Sequence, residues 1–198
     1  MLFRSEEFGA SVLRRACLAC AFWPDGVSVS VNLSPMQFRS GGVERTVLDA
    51  LAAAKLAPER LDLEITESTL LDDRGSTRAM LDSLRKLGVR VSLDDFGTGY
   101  SSLSYILAFT LDRIKIDRSF IIGLGLHERA SVLVESVAHM CAKLGMSVLA
   151  EGVETDLQMR FIERIGSIAE VQGFYFSPAV PEAEARRMLD EKKRLSAA

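Results

Sequence analysis

Short runs in which apolar and polar residues alternate recur along this chain. A period of two places the polar residues of each run on one face of an extended strand. Strands covered by helices on both sides read instead as nearly continuous hydrophobic runs. Each run therefore predicts a strand with an apolar face beneath helices and a polar face turned towards a shared space. These polar faces carry Ser28, Ser30 and Asn32; Asp62, Glu64 and Thr66; Ser92 and Asp94; and Arg113, Lys115 and Asp117.

Helical periodicity fills the intervals between the predicted strands. Apolar residues spaced three and four apart predict helices over 43–56, 79–87, 133–144, 156–165 and 181–195. The strands are predicted near 27–33, 60–65, 89–94, 112–117, 146–151 and 169–176. Alternating strands and helices imply a parallel sheet, and a closed (β/α)₈ barrel needs eight such units. We predict an α/β protein with an incomplete (β/α)₈ TIM-type barrel of about six units and mostly parallel strands. Either the sheet is open, or two units are missing from the front.

The predicted strands end in residues suited to holding a metal or a phosphate. Ligands and catalytic groups collect at the carboxyl edge of parallel sheets, so these strand ends describe one site. Carboxylates brought together without water are costly unless cations or hydrogen bonds compensate for their charge. The pattern therefore predicts a divalent metal among oxygen ligands. The strand-end residues are Asn32, Glu64, Asp94, Asp95, Lys115, Glu151 and Gln172.

Composition narrows the classes of partner. Hydrophobic content is 48% and charged content 26%, which is typical of a globular protein. The net charge of −3 argues against DNA, RNA or an anionic membrane as a partner. No run approaches the ~18 apolar residues of a membrane span. Three cysteines without a secretion signal favour the cytoplasm, and the Cys17 and Cys20 pair is expected to pack in a core.

Six stretches carry a more specific signal. They read Val-Asn-Leu-Ser-Pro at 31–35, Leu-Glu-Ile-Thr-Glu-Ser at 63–68, Asp-Asp-Phe-Gly-Thr-Gly-Tyr-Ser-Ser-Leu at 94–103, Lys-Ile-Asp-Arg-Ser-Phe at 115–120, Ala-Glu-Gly-Val-Glu-Thr at 150–155 and Gln-Gly-Phe at 172–174. In this order and spacing they resemble the EAL-domain family of bacterial phosphodiesterases. That family hydrolyses cyclic di-GMP to the linear dinucleotide pGpG. The resemblance predicts a partial EAL domain over 10–195, preceded by a junction over 1–9.

The resemblance implies a role for each matching position. Asn32 and Glu64 would bind a first metal, Asp94 would bridge to a second, Asp95 would bind the second, and Glu151 would support its shell. The implied cofactors are two Mg²⁺ or Mn²⁺ ions, with Ca²⁺ inhibitory. These positions follow the motifs quoted above.

Other positions are implied to act beside the metals. Lys115 would polarise or deprotonate the attacking water, so that Lys115, Glu151 and Asp94 form the catalytic set. Gln172, Asp117, Glu67 and Pro35 would bind substrate or support the ligands, with Glu67 anchoring a loop over 95–100. In the family this loop links the site to a dimer interface, so a homodimer through the loop and the following helix is expected.

One departure from the family bears on activity. No Glu-Ala-Leu occurs in the chain, although the family is named for it and its glutamate is a metal ligand. Two early strands of the family are also missing, so we expect a truncated domain that hydrolyses cyclic di-GMP below the normal rate. The alternative is a non-catalytic EAL-like module that binds cyclic di-GMP or a protein partner.

Simpler interpretations stay open for several residues. The pair Asp94-Asp95 is also typical of a helix cap, Gln172 of a loop cap, and Glu154 of an acid in the first turn of a helix. The glycines around 97–99 indicate a hinge rather than a phosphate loop. His127 and His139 are expected to be solvated or packed. The aromatic run over 174–176 is expected in the core rather than stacked on a base.

Overall fold

The computed structural model describes residues 2–71, 74–97 and 103–196. These residues fall into two units, one comprising 1–64, 72–90 and 179–198 and the other 65–71 and 91–178. The first unit contains α1 (Leu2–Ala21), β1 (Val29–Leu33), α2 (Pro35–Ser40), α3 (Val43–Ala54), most of β2 (Leu61–Thr66), α5 (Arg74–Lys86) and α10 (Glu182–Ser196). The second contains α4 (Glu67–Leu71), β3 (Arg90–Phe96) except its first residue, α6 (Leu103–Ala108), β4 (Arg113–Ile116), α7 (Arg118–Ile121), α8 (Glu128–Lys143), β5 (Ser147–Ala150), α9 (Asp156–Ile165) and β6 (Glu170–Val171).

The six strands follow one another in the sheet in the order of the sequence. The pairs β3–β4, β4–β5 and β5–β6 are parallel, and a helix lies between consecutive strands along the chain. This arrangement confirms the predicted α/β class and its six strand–helix units. Among the described residues, no helix combines the length and the apolar character needed to cross a membrane.

In the first unit, α1 packs against α3, α2 and β1. Leu13, Cys17 and Cys20 are almost completely buried there, so the expected core role of the cysteine pair is confirmed. Burial and the neighbouring Cys20 raise the pKa of the Cys17 thiol to about 11, which keeps it protonated and unreactive. The pair is therefore part of the packing of α1 and not a redox centre.

In the second unit, the ladder of β4 and β5 forms the centre of the core. Ile114, Ile116, Val148 and Ala150 are buried, and α8 packs on β5. At the amino end of the strands, the Asp112 carboxylate accepts a hydrogen bond from the Val91 amide at 2.9 Å. The Asp112 carbonyl accepts another from the Ser147 amide, also at 2.9 Å. Asp112 thus ties three strands in register, which aligns their opposite ends.

The last predicted strand is much shorter than expected. β6 covers only Glu170–Val171, whereas the prediction ran over 169–176. A Cβ atom on Gly173 would lie 2.1 Å from the Val153 carbonyl oxygen, so the backbone crosses closely here and then turns. The aromatic run that follows leaves the sheet, and Phe174 is 68% exposed. The expectation that this run lies in the core is therefore wrong for the chain as described.

Candidate metal centre

Four predicted residues meet at the carboxyl ends of β3, β4 and β5. The carboxylate oxygens of Asp94, Asp95 and Glu151 all lie within 4.8 Å of one another. The Lys115 Nζ lies 2.7 Å from Asp94 Oδ1 and 2.7 Å from Glu151 Oε1. Lys115 itself is buried, with 4% of its surface exposed. These four strand-end residues therefore lie together, and their roles as metal ligands and catalytic groups stay predictions.

An irregularity at the end of β3 explains how two consecutive aspartates join one cluster. Successive residues of a regular strand point to opposite faces. The register between β3 and β4 shifts between Leu93 and Phe96, and Asp95 has a positive φ of 54°. Such a bulge re-aims a side chain beside a site. Asp95 is thereby turned towards the group that Asp94 and Glu151 occupy.

The electrostatics of the cluster favour a cation. Loss of hydration raises the pKa of Asp95, and the carboxylates of Asp94, Asp117 and Glu67 raise it further against the opposing effect of Lys115. Several carboxylates with too little positive charge beside them repel one another, and a divalent ion bound to their oxygens compensates for that charge. The donor set present therefore fits a divalent cation.

Asp117 and Glu67 support the ends of this cluster. Asp117 is the N-cap of α7, and its Oδ1 accepts a hydrogen bond from the Ser119 amide at 2.9 Å. Desolvation acts to raise the pKa of Asp117, but bonds from Ser119 and the charge of Arg118 outweigh it, and the pKa is lowered. The Glu67 Oε1 accepts from the Gly97 amide at 3.2 Å. Glu67 thus holds the backbone two residues beyond Asp95.

The remaining predictions divide between the two units. Asn32 is exposed on β1, Glu64 is buried on β2, and Pro35 is the first residue of α2. These three belong to the first unit, and their roles stay predictions. In the second unit, Gln172 is exposed and directly follows β6, where its backbone bonds to Ala150 and Val153. Residues 98–102 lie outside the described part, so the predicted hinge and the homodimer through this loop stay predictions.

Two contacts near the cluster were not predicted from the sequence. Glu154, which precedes α9, forms an ion pair with Arg118 at 2.9 Å, and the first-turn acid of that helix is Asp156. Gln158 is buried and caps the start of α9 together with Thr155. The spacing Thr155-x-x-Gln158 is a capping-box signature that would have located the second contact. His127 and His139 are exposed, so of the two expected environments, solvated or packed, the structure shows the solvated one.

Comparison with known proteins places these features in a family. The model of the EAL domain matches residues 3–179. The bifunctional diguanylate cyclase/cyclic di-GMP phosphodiesterase MucR of Pseudomonas aeruginosa is 37% identical over 179 residues, which are 88% of this chain and 26% of MucR. The chain spans between 22% and 26% of the length of the first curated relatives it matches.

Solved structures agree with that relationship. The MucR phosphodiesterase from Pseudomonas aeruginosa in complex with c-di-GMP has a TM-score of 0.83 at 37% identity, covering 90% of this chain and 74% of the other. Klebsiella pneumoniae BlrP1 with manganese and the cyclic dinucleotide has a TM-score of 0.80 at 31% identity, covering 87% and 44%. The fold of this chain is therefore similar to that of these proteins.

Proposed function

Because the chain belongs to the EAL domain family, we propose that its strand-end cluster binds cyclic di-GMP and hydrolyses it with the help of divalent cations. One observation carries this proposal: three carboxylates converge within 4.8 Å, and a buried lysine bridges two of them. A helix cap alone would not bring acids from β3 and β5 together around a cation from β4. Membership of the family supports cyclic di-GMP as the substrate, and the convergence of these side chains supports the cluster as its site.

The donor set defines what the chain contributes to the chemistry. Asp94, Asp95 and Glu151 would hold the cations, and Asn32 and Glu64 are proposed as further oxygen ligands on the evidence of their motifs alone. When bound, two divalent ions would supply Lewis acidity and make a water easier to deprotonate, and so more nucleophilic towards phosphorus. The water oxygen bonds to phosphorus, the bond to the 3′ oxygen breaks, and that oxygen takes up a proton. The linear product keeps its 5′ phosphate.

Lys115 has a defined task in this scheme. Its Nζ is fixed between Asp94 and Glu151, so both carboxylates are oriented before the substrate arrives. From this position Nζ would polarise the attacking water or help to remove its proton.

We expect turnover below that of a domain that contains the Glu-Ala-Leu segment. The glutamate of that segment is a metal ligand in the family, and no Glu-Ala-Leu is present among the 198 residues. The same observation favours the second candidate function, a module that binds cyclic di-GMP without cleaving it. Binding and cleavage must therefore be measured separately.

The decisive experiment follows cyclic di-GMP and linear product by chromatography, with Mg²⁺ or Mn²⁺ and the purified chain. We expect slow conversion that Lys115→Met lowers by about 100-fold or more, because proton transfer by a positioned group contributes ~10²–10⁴-fold. Lys143→Met is the matched control, since Lys143 is an exposed residue of α8, and it should leave the rate unchanged. Binding without conversion would favour the non-catalytic module. Absence of binding would overturn the proposal.

A further inference from the structure

The turn that carries Glu151 is held in place by a buried side chain that the sequence did not predict. We propose that Gln158, supported by Arg118, is a positioning residue that fixes residues 151–155 against helix α7 and so sets the place of the Glu151 carboxylate. Its consequence for metal binding rests on the proposed function. The contact itself is a property of the fold.

The side-chain amide of Gln158 forms hydrogen bonds to two segments, the turn after β5 through its oxygen and the end of α7 through its nitrogen. Its Oε1 accepts hydrogen bonds from the Glu154 amide at 2.8 Å and the Thr155 amide at 3.0 Å. Its Nε2 donates to the Ile121 carbonyl, the last of α7, at 3.2 Å. The side chain is only 7% exposed, so little water can replace these partners. Gln158 therefore connects the turn after β5 to the helix after β4.

Arg118 makes a second, independent contact between the same two segments. Its guanidinium pairs with Glu154 at 2.9 Å. Its aliphatic stem covers Gly152, where a Cβ atom would lie 2.4 Å from Arg118 Cγ. Gly152 also has a positive φ of 69°, which glycine adopts without strain. Arg118 therefore packs on the turn at Gly152 and pairs with Glu154, while Gln158 accepts hydrogen bonds from the turn's backbone amides.

The position of these contacts explains why they reach the cluster. Helix α7 begins three residues after Lys115, and the turn begins at Glu151. The Glu151 amide donates to the Ile116 carbonyl at 3.1 Å, and Lys115 bridges to the Glu151 carboxylate. Three kinds of contact therefore fix the distance between the ends of β4 and β5. They are the backbone bond, the ion pair of Lys115, and the latch, by which we mean the contacts of Gln158 and Arg118 that join residues 151–155 to α7. A ligand is presented most effectively when its supporting contacts are locked in this way.

Gln158→Leu tests the proposal, because leucine keeps the volume and removes both polar ends. Hydrogen exchange should show the amides of Glu154 and Thr155 exchanging about tenfold faster, since each loses its acceptor. Mn²⁺ titration should show a dissociation constant raised by about 10-fold or more, the usual effect of removing an outer partner of a ligand. Both measurements are independent of turnover.

Ser131→Ala is the matched control. Its buried hydroxyl accepts from the Gly125 amide in the same unit, a bond that involves no residue of 151–155. It should lower the unfolding temperature without changing exchange in the turn or Mn²⁺ affinity. Equal exchange of the turn in Gln158→Leu and wild type, or equal Mn²⁺ affinity, would overturn the proposal. So would a loss of protection spread over the unit to the same extent as in Ser131→Ala.

Arg118 keeps the test decisive if Gln158→Leu does not fold. Arg118→Met retains the cover over Gly152 and removes the ion pair, whereas Arg118→Lys retains the charge. The proposal is supported if amides of the turn exchange faster in Arg118→Met and at the wild-type rate in Arg118→Lys. It is overturned if exchange in the turn equals that of wild type in both variants. A wild-type chain that binds no Mn²⁺ would refute the proposed function, while hydrogen exchange would still decide whether the turn is latched.

Discussion

Asp117 combines a helix cap with a lowered pKa, so its contribution to stability depends on pH. The carboxylate stabilises the folded state above its ordinary value of 3.8, and that stability is lost as the pH falls through the lower folded value. We expect Asp117→Asn to lower the free energy of unfolding by about 0.5 kcal/mol at pH 7, because a negative charge at a helix start is worth ~0.3–1 kcal/mol. Denaturant unfolding between pH 7 and pH 3 should show the difference closing below pH 3.8.

The asparagine variant separates charge from cap geometry, because asparagine caps a helix about as well as aspartate. Asp117→Ser provides a second neutral cap and should follow the same pH dependence. A difference from wild type that persists at pH 3 would mean that the cap, and not its charge, is responsible.

At the scale of single residues, sequence reasoning found the groups whose position follows from a strand end. Asp94 and Lys115 lie near the carboxyl ends of β3 and β4, Glu151 directly follows β5, and parallel neighbours bring such residues together. It missed the pair of Arg118 with Glu154 and the bond from Gln158 to Ile121, because these join different segments, although the Thr155-x-x-Gln158 spacing indicates the cap of α9. Only the folded chain defines those partners.

At the scale of elements, Arg60 holds the end of α1 and the segment that leads to β1. Its guanidinium donates to the carbonyls of Cys20, Trp23, Pro24 and Val27 over 2.7–3.2 Å. We expect Arg60→Met to lower the free energy of unfolding by about 2–4 kcal/mol, because four carbonyls lose a charged donor. Denaturant titration measures this loss.

Two further variants define the cause. Arg60→Lys should recover only part of the stability, since an ammonium group cannot reproduce the guanidinium fork. Arg45→Met removes an exposed arginine that pairs with Asp49 at 3.8 Å, and it should change stability by less than about 0.5 kcal/mol. Equal effects of Arg60→Met and Arg45→Met would contradict the capping role.

The elements themselves were predicted with uneven success for physical reasons. Helix α9 covers the predicted 156–165 because a capping box starts it and Gly166 ends it in a left-handed conformation. Strand β6 was overpredicted, because aromatic residues favour strands locally. The close crossing of Gly173 over Val153 overrides that preference and turns the chain out of the sheet.

At the scale of the whole molecule, periodicity predicted the fold class and the residues at the strand ends predicted the place of the cluster. Alternating two- and three-to-four-residue periods require a parallel sheet, and parallel strands require their ends to share an edge. The bulge that turns Asp95 into the cluster has no such periodic signature. The sequence therefore predicts which edge carries the chemistry, and only the structure supplies the backbone irregularity that completes it.

Ligand binding to the folded chain alone should be visible as a change in the unfolding transition. We expect cyclic di-GMP, in the presence of Ca²⁺, to raise the unfolding temperature, because Ca²⁺ is expected to permit binding while it suppresses hydrolysis. Nucleotide at 100 times its dissociation constant adds about 2.7 kcal/mol, or roughly 5–10 °C for a chain of this size. Asp94→Asn with Asp95→Asn should abolish the shift, and GMP should not reproduce it. A transition that the nucleotide does not move would mean that these six strands do not form a binding site for cyclic di-GMP.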